Sequence, residues 1–149
     1  MKQIALLIII ITHTLSTQAQ KPITKTQQQV QETVVNMFEA LSERDSMALK
    51  TYCTSDITLY EYGQIWNMDS LIFKAITMNT VADFKRTNTF EFISTETDKH
   101  IAWVTYTLSS IIAKDGKQTT IVWLETVCLL KQNRQWKVKN LHSTLLNKS

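Results

Sequence analysis

IAWVTYTLSSIIAKDGKQTTIVWLETVCLLKQNRQWKVKNLHSTL, residues 101–145, is the stretch that decides the fold, because two turns can be read in it. Asp115-Gly116 has the composition of a two-residue type I′ hairpin turn, which needs left-handed backbone at both positions, and Asn133-Arg134 is a weaker form of the same signal. Apolar or alternating runs flank both turns, so long antiparallel strands are expected over His100 to Ala113, Gln118 to Lys131 and Gln135 to Leu145. Counting back from the turns sets Tyr106 opposite Glu125 and Glu125 opposite His142. A phenol, a carboxylate and an imidazole would then stand in one row across three strands. The same counting stacks Leu108/Trp123/Thr144, Val104/Val127/Asn140 and Ala102/Leu129/Val138, a mostly apolar wall around that row.

Upstream of this stretch the period changes from two to three or four. Val30, Val34, Met37/Phe38 and Leu41 recur as one stripe of an α-helix, and a shorter helix is expected over Ser46 to Tyr52. Short extended pieces follow at Ile57 to Tyr62 and, beyond Gly63, Gln64 to Asn67. Asp69 is a good N-cap for a third helix, about Ser70 to Ala82, after which Thr87 to Glu96 is extended. Helices first and long antiparallel strands last is an α+β arrangement.

The leader differs in kind. An unbroken apolar run from Ile4 to Ile11 follows Lys2, and Thr17 and Ala19 occupy the small-residue positions of a signal-peptidase site. The run is too short to span a bilayer. Residues 1–19 are therefore expected to be a signal peptide, 20–26 a polar leader and 27–149 one domain, exported to the periplasm or beyond the cell without stable membrane insertion after cleavage. Cys53 and Cys128 could pair after export or remain as two inert thiols.

Composition sets aside several function classes. A formal net charge of +3 with scattered lysines and arginines lacks the footprint of a nucleic-acid binder. Two glycines offer no phosphate-cradling loop, and separated cysteines and histidines offer no metal-ligand spacing, so neither cofactor nor metal is expected. Both faces of the last strands carry apolar side chains. Three helices can cover one face only, so a homodimer through the outer face, with Trp103, Leu124 and Leu130 on it, is expected to cover the other.

Ala40-Leu41, Asp45, Tyr52, Asp56, Gly63, Trp66, Asp69, Asp115-Gly116 and the closing pattern Trp136-x-Val138-x-Asn140-x-His142-x-Thr144 carry a family resemblance. From about Gln27 to Leu146 the chain resembles the NTF2-like superfamily, also described as SnoaL-like or as a cystatin-like α+β barrel. The resemblance implies three N-terminal helices packed on a curved antiparallel sheet that forms a cone-shaped half-barrel. Function does not follow from it, because the fold carries isomerases, dehydratases, hydrolases and catalysis-free association domains. Set against the steroid isomerase of the superfamily, Glu61 falls where that enzyme has its general-base aspartate, whereas Met37 stands where it has its catalytic tyrosine. The resemblance thus implies a base without that half of the oxyanion hole.

The expected site has His142 as acid/base, Glu125 orienting it and Tyr106 donating to a developing oxyanion. Trp123, Thr144, Asn140, Leu108 and Phe90 would line a pocket for a small, largely apolar organic molecule. Glu61 is either a pocket base or a solvated residue on an edge strand. Phe90 joins the Tyr106 face if the turn at Thr97 to Lys99 has three residues. Two readings stay open. In the first the pocket binds its ligand and performs cofactor-independent acid/base chemistry of isomerase, dehydratase or hydrolase type. In the second the polar row merely satisfies itself and the domain is a dimeric association module.

Overall fold

The computed structural model describes residues 22–149; the expected signal peptide, residues 1–19, lies outside them. Helix α1, Lys25–Ser42, opens on a capping box: the Thr24 hydroxyl accepts from Gln27 N–H and the Gln27 side chain accepts from Thr24 N–H. Its stripe Val30, Val34, Met37, Phe38 and Leu41 is buried, each side chain worth about 1.5–3 kcal/mol of transfer free energy. Helix α2, Ser46–Tyr52, is capped by Asp45, whose carboxylate accepts from Met47 and Ala48 N–H at 2.9 Å. Then come strands β1, Cys53–Glu61, and β2, Gln64–Trp66.

The third helix is shorter than expected and starts earlier. Helix α3 spans Met68–Leu71 and continues as a π-helical segment, Ile72–Thr77. Its N-cap is Asn67, not Asp69, because Asn67 Oδ1 accepts from Ser70 N–H at 2.9 Å. It stops before Ala82 because the Asn79 side chain donates back to the carbonyls of Lys74 and Ala75.

Strands β3, Lys85–Thr97, β4, Ile101–Lys114, β5, Lys117–Gln132, and β6, Gln135–Lys148, complete a six-stranded sheet of order β2-β1-β6-β5-β4-β3. Only the β1–β6 pair is parallel. Asp115-Gly116 and Asn133-Arg134 both turn in two residues, with φ of 54° and 68° and of 50° and 66°, as type I′ geometry requires. Helices α1 and α3 lie on the inner face, where Ala102, Val104, Tyr106, Leu108, Val127 and Leu129 are fully buried.

Bulges curve the sheet, and one of them revises the expected register. Tyr106 does face Glu125, and Leu108 faces Trp123. Across β5 and β6, Leu129 faces Val138, but Cys128 faces Asn140, so Lys139 is an extra residue. Because side chains alternate with period two, that residue exchanges the faces of those after it as far as Leu145, beyond which Leu146 is a further extra residue. Glu125 therefore faces Ser143, and His142 faces Thr126 and Tyr60 on the outer side. The extruded Lys139 is held by β1: its ammonium lies 2.6 Å from Asp56 Oδ2 and donates to the Asp56 carbonyl at 3.0 Å.

A second bulge, at Ile93, places Phe90 opposite Leu108 and Phe92 opposite Tyr106. Phe90 joins the Tyr106 face as expected, through this bulge and not through a three-residue turn, since Thr97 already pairs with Ala102. Cys53 and Cys128 are both free thiols, the first buried against the core and the second on the outer face. Among the described residues no helix is long and apolar enough to cross a membrane.

Candidate functional site

Helix α1, the β1–β2 hairpin, helix α3 and the inner face of the sheet enclose a cavity of about 190 Å³. Met37, Phe38 and Leu41 of α1 form one wall, Leu59 and Leu141 another, and Trp123 a third. Three charge-bearing groups enter this apolar space: Glu61 from the end of β1, Glu125 from the middle of β5, and Arg86 from the start of β3. A larger cleft of about 540 Å³, beside α2 and the start of β1, is lined by Lys50, Thr54, Asn67 and Lys137 among others. It brings no two carboxyls together with a guanidinium, and the chemistry therefore points to the smaller, apolar cavity.

Burial dominates the electrostatics. Desolvation, with the neighbouring charge of Glu125 adding to it, pushes the Glu61 carboxyl up to about 7, against the opposing pull of Arg86 and Ser143. Glu125 is only 3 % exposed, and burial raises its pKa even though Tyr106, Ser143 and Arg86 favour its charged form. Ser143 donates to Glu125 Oε1 at 2.9 Å. Glu125 Oε2 and the Tyr106 hydroxyl are buried with no partner in hydrogen-bond geometry, although they are close enough to perturb each other. A buried carboxyl that retains its proton can act as a donor, and the unpartnered Oε2 is the atom available for that.

Arg86 is fixed from behind. Its Nε donates to Asn88 Oδ1 at 2.9 Å and its Nη2 to Ser110 Oγ at 3.1 Å, while Asn88 itself donates to Ser42 Oγ on α1. The guanidinium lies over the rings of Phe38, at 5.4 Å, and Trp123, at 5.8 Å, contacts that favour a partly desolvated cation.

The expected site residues divide. Glu61, Glu125 and Trp123 line the cavity, so Glu61 is a pocket residue and the solvated edge-strand alternative is set aside. Tyr106 lies beneath the cavity, fully buried and packed on Phe38, Phe90 and Phe92 with ring centroids 5.4–6.4 Å apart. Leu108 and Phe90 belong to the same core. His142, Asn140 and Thr144 are turned to the outer face by the Lys139 bulge and do not meet Glu125. The expected Glu125–His142 pairing is therefore corrected to Glu125–Ser143. Arg86 and Ser143 were not foreseen. Arg86 could have been found by parity: with Asn88, Phe90 and Phe92 it shares one face of β3, and a lone cation in such a row is conspicuous. Ser143 depended on the bulge, which alternation does not reveal. Among the described residues no group of three or more His, Cys, Asp or Glu side chains is placed to hold a metal ion.

No protein-family model and no curated protein sequence matches the chain. Solved structures do resemble it. A ketosteroid isomerase-like protein from Erwinia carotovora atroseptica superposes with a TM-score of 0.66 at 14 % identity, covering 84 % of this chain and 99 % of its own. An NTF2-like protein from Cytophaga hutchinsonii gives 0.70 at 10 % identity, covering 83 % and 100 %. The CaMKII hub of S. rosetta gives 0.64 at 18 % identity, covering 80 % and 95 %. The fold is NTF2-like, an α+β cone whose helices pack on a curved, unclosed sheet. At these identities the likeness concerns the fold alone.

Proposed function

We propose that the cavity binds a small, largely apolar organic molecule and acts on it by cofactor-independent acid/base chemistry, with Glu61 as the proton-transferring group. One observation carries this reading: two carboxyls of raised pKa converge with a guanidinium in an apolar cavity. A carboxyl near neutrality is well matched to accepting a proton from one substrate atom and returning it to another. Glu125, whose neutral form burial favours, would in that form donate a hydrogen bond to oxygen charge developing in the transition state. Isomerisation, dehydration and hydrolysis can each use such a pair. A cavity below the roughly 300–1,000 Å³ of common ligand sites suits a small substrate. The test is a thermal-shift screen of small organic molecules against the protein and Glu61→Gln. Hits lost or weakened in the variant support the reading; hits bound and processed equally by both forms reject it.

A second reading has its own support. The outer face exposes Ile101, Trp103, Ile111 and Leu124 by 37–46 %, and ketosteroid isomerase-like and hub folds both occur among the similar structures. We propose that this face pairs with a second copy of the chain, whether the domain is an enzyme or an association module. Export is likewise proposed, supported by the apolar run Ile4 to Ile11 and the small residues Thr17 and Ala19.

A further inference from the structure

Arg86 is a cation on which the carboxyls of Glu125, Glu61 and Glu39 act only from beyond ion-pair distance. The one ion pair among the described residues is Lys139–Asp56 on the outer side of the sheet, so no carboxylate comes within ion-pair distance of the Arg86 guanidinium. Glu61 and Glu125 share its cavity, but burial drives both toward their neutral forms. A guanidinium does not give up its proton in a protein. A partly desolvated charge with no partner at contact distance is unfavourable, and a ligand of opposite charge would offset that.

The way Arg86 is held says what that ligand would look like. Asn88 and Ser110 take Nε and Nη2, fixing the plane of the guanidinium against the sheet, and the rings of Phe38 and Trp123 lie against it. No hydrogen bond from Nη1 to another described residue is made, and Arg86 lines the cavity. A planar fork with free donors matches a carboxylate. Met37, Leu59 and Leu141 around it suit an apolar body, and about 190 Å³ leaves room for a short chain or a single ring. A phosphate dianion fits poorly, because its second charge would meet no second cation in the cavity lining.

We infer that the cavity takes a small organic monocarboxylic acid, its carboxylate received by Arg86 and its apolar body lying against Met37, Leu59 and Leu141. This rests on the reading of the cavity as the ligand site. Benzoate and its neutral isostere benzamide test it, titrated into nitrogen-15-labelled protein while the Trp123 indole signal is followed. Benzoate should shift that signal with a dissociation constant at least about tenfold below that of benzamide, as expected for a charge-assisted pair. Arg86→Gln should abolish the preference, and Arg86→Lys should reduce it, because an ammonium lacks the fork. Equal binding of the two probes by the parent overturns the anion inference and leaves the cavity reading standing. A preference that survives in Arg86→Gln removes Arg86 from the role. Inorganic phosphate shifting Trp123 as benzoate does overturns the carboxylate assignment. If neither organic probe shifts it, the cavity reading falls together with the inference. Should Arg86→Gln fail to fold by circular dichroism, the parent's discrimination and the Arg86→Lys titration decide.

Discussion

The inner and outer faces of the sheet are made by the same strands, yet they differ in what surrounds each side chain. Inside, Val104, Tyr106 and Leu108 are fully buried and Glu125 is 3 % exposed. Outside, one residue along each strand, Trp103 is 46 % exposed and Leu124 37 %, and Thr105 and Thr126 share a hydrogen bond of 3.1 Å. Glu125 and His142 make the contrast sharp. Histidine is the residue type usually associated with proton transfer near pH 7, but here it lies exposed against Tyr60, with ring centroids 6.1 Å apart. The carboxyls Glu61 and Glu125 would ordinarily be ionised, and burial moves both toward neutrality. Coverage by helices, more than residue type, decides where unusual chemistry sits.

The largest effect that separates the faces should come from Tyr106→Ala. It removes a fully buried ring from the Phe38, Phe90 and Phe92 cluster, and chemical denaturation should show a loss of about 3–5 kcal/mol. Tyr106→Phe should cost far less, because it keeps the ring in that cluster.

Next in size is the pH dependence set by Glu61. Its folded pKa is raised, so between the ordinary 4.5 and about 7 the folded chain holds a proton that the unfolded chain has released. The associated penalty is absent below that window, grows as pH rises through it and is complete above it. Stability should therefore decline by about 3 kcal/mol from pH 4.5 to 7 on this account. Glu61→Gln should flatten most of the decline, leaving the part due to Glu125; denaturation midpoints across pH would show it.

On the outer face, Leu124→Lys should change monomer stability little but weaken self-association about tenfold to a hundredfold. Sedimentation equilibrium checks this, and a parent that remains monomeric at micromolar concentration breaks the outer half of the comparison. Smallest of all, His142→Gln should alter stability by no more than about 0.5 kcal/mol and leave ligand binding in the cavity unchanged. A large loss of binding would place His142 back in the site.

Much of the fold was legible because its signals are local. Asp115-Gly116 and Asn133-Arg134 set their own hairpins, and the stripe Val30, Val34, Met37/Phe38 and Leu41 set α1. From these the pairings Tyr106–Glu125, Leu108–Trp123 and Leu129–Val138 followed. The site was legible only in part. Trp123 and Glu125 precede any error in counting, but His142, Asn140 and Thr144 lie beyond the extra residue Lys139. A bulge stabilised by a distant partner, here Asp56 in β1, leaves no mark on alternation near it. Arg86 was passed over for a different reason: an isolated arginine at a strand start ordinarily reads as solvated surface, and only its hydrogen bonds to Asn88 and Ser110 reveal that it points inward.

The central claim is that the Glu61 carboxyl, held in the cavity between α1 and the sheet, exchanges its proton near neutrality. Carbon-13 NMR of the glutamate side-chain carboxyls, with Glu61 assigned by loss of its signal in Glu61→Gln, measures this in one pH titration. The account expects Glu61 to titrate at about 7. A Glu61 carboxyl that titrates at its ordinary value of 4.5 would contradict it.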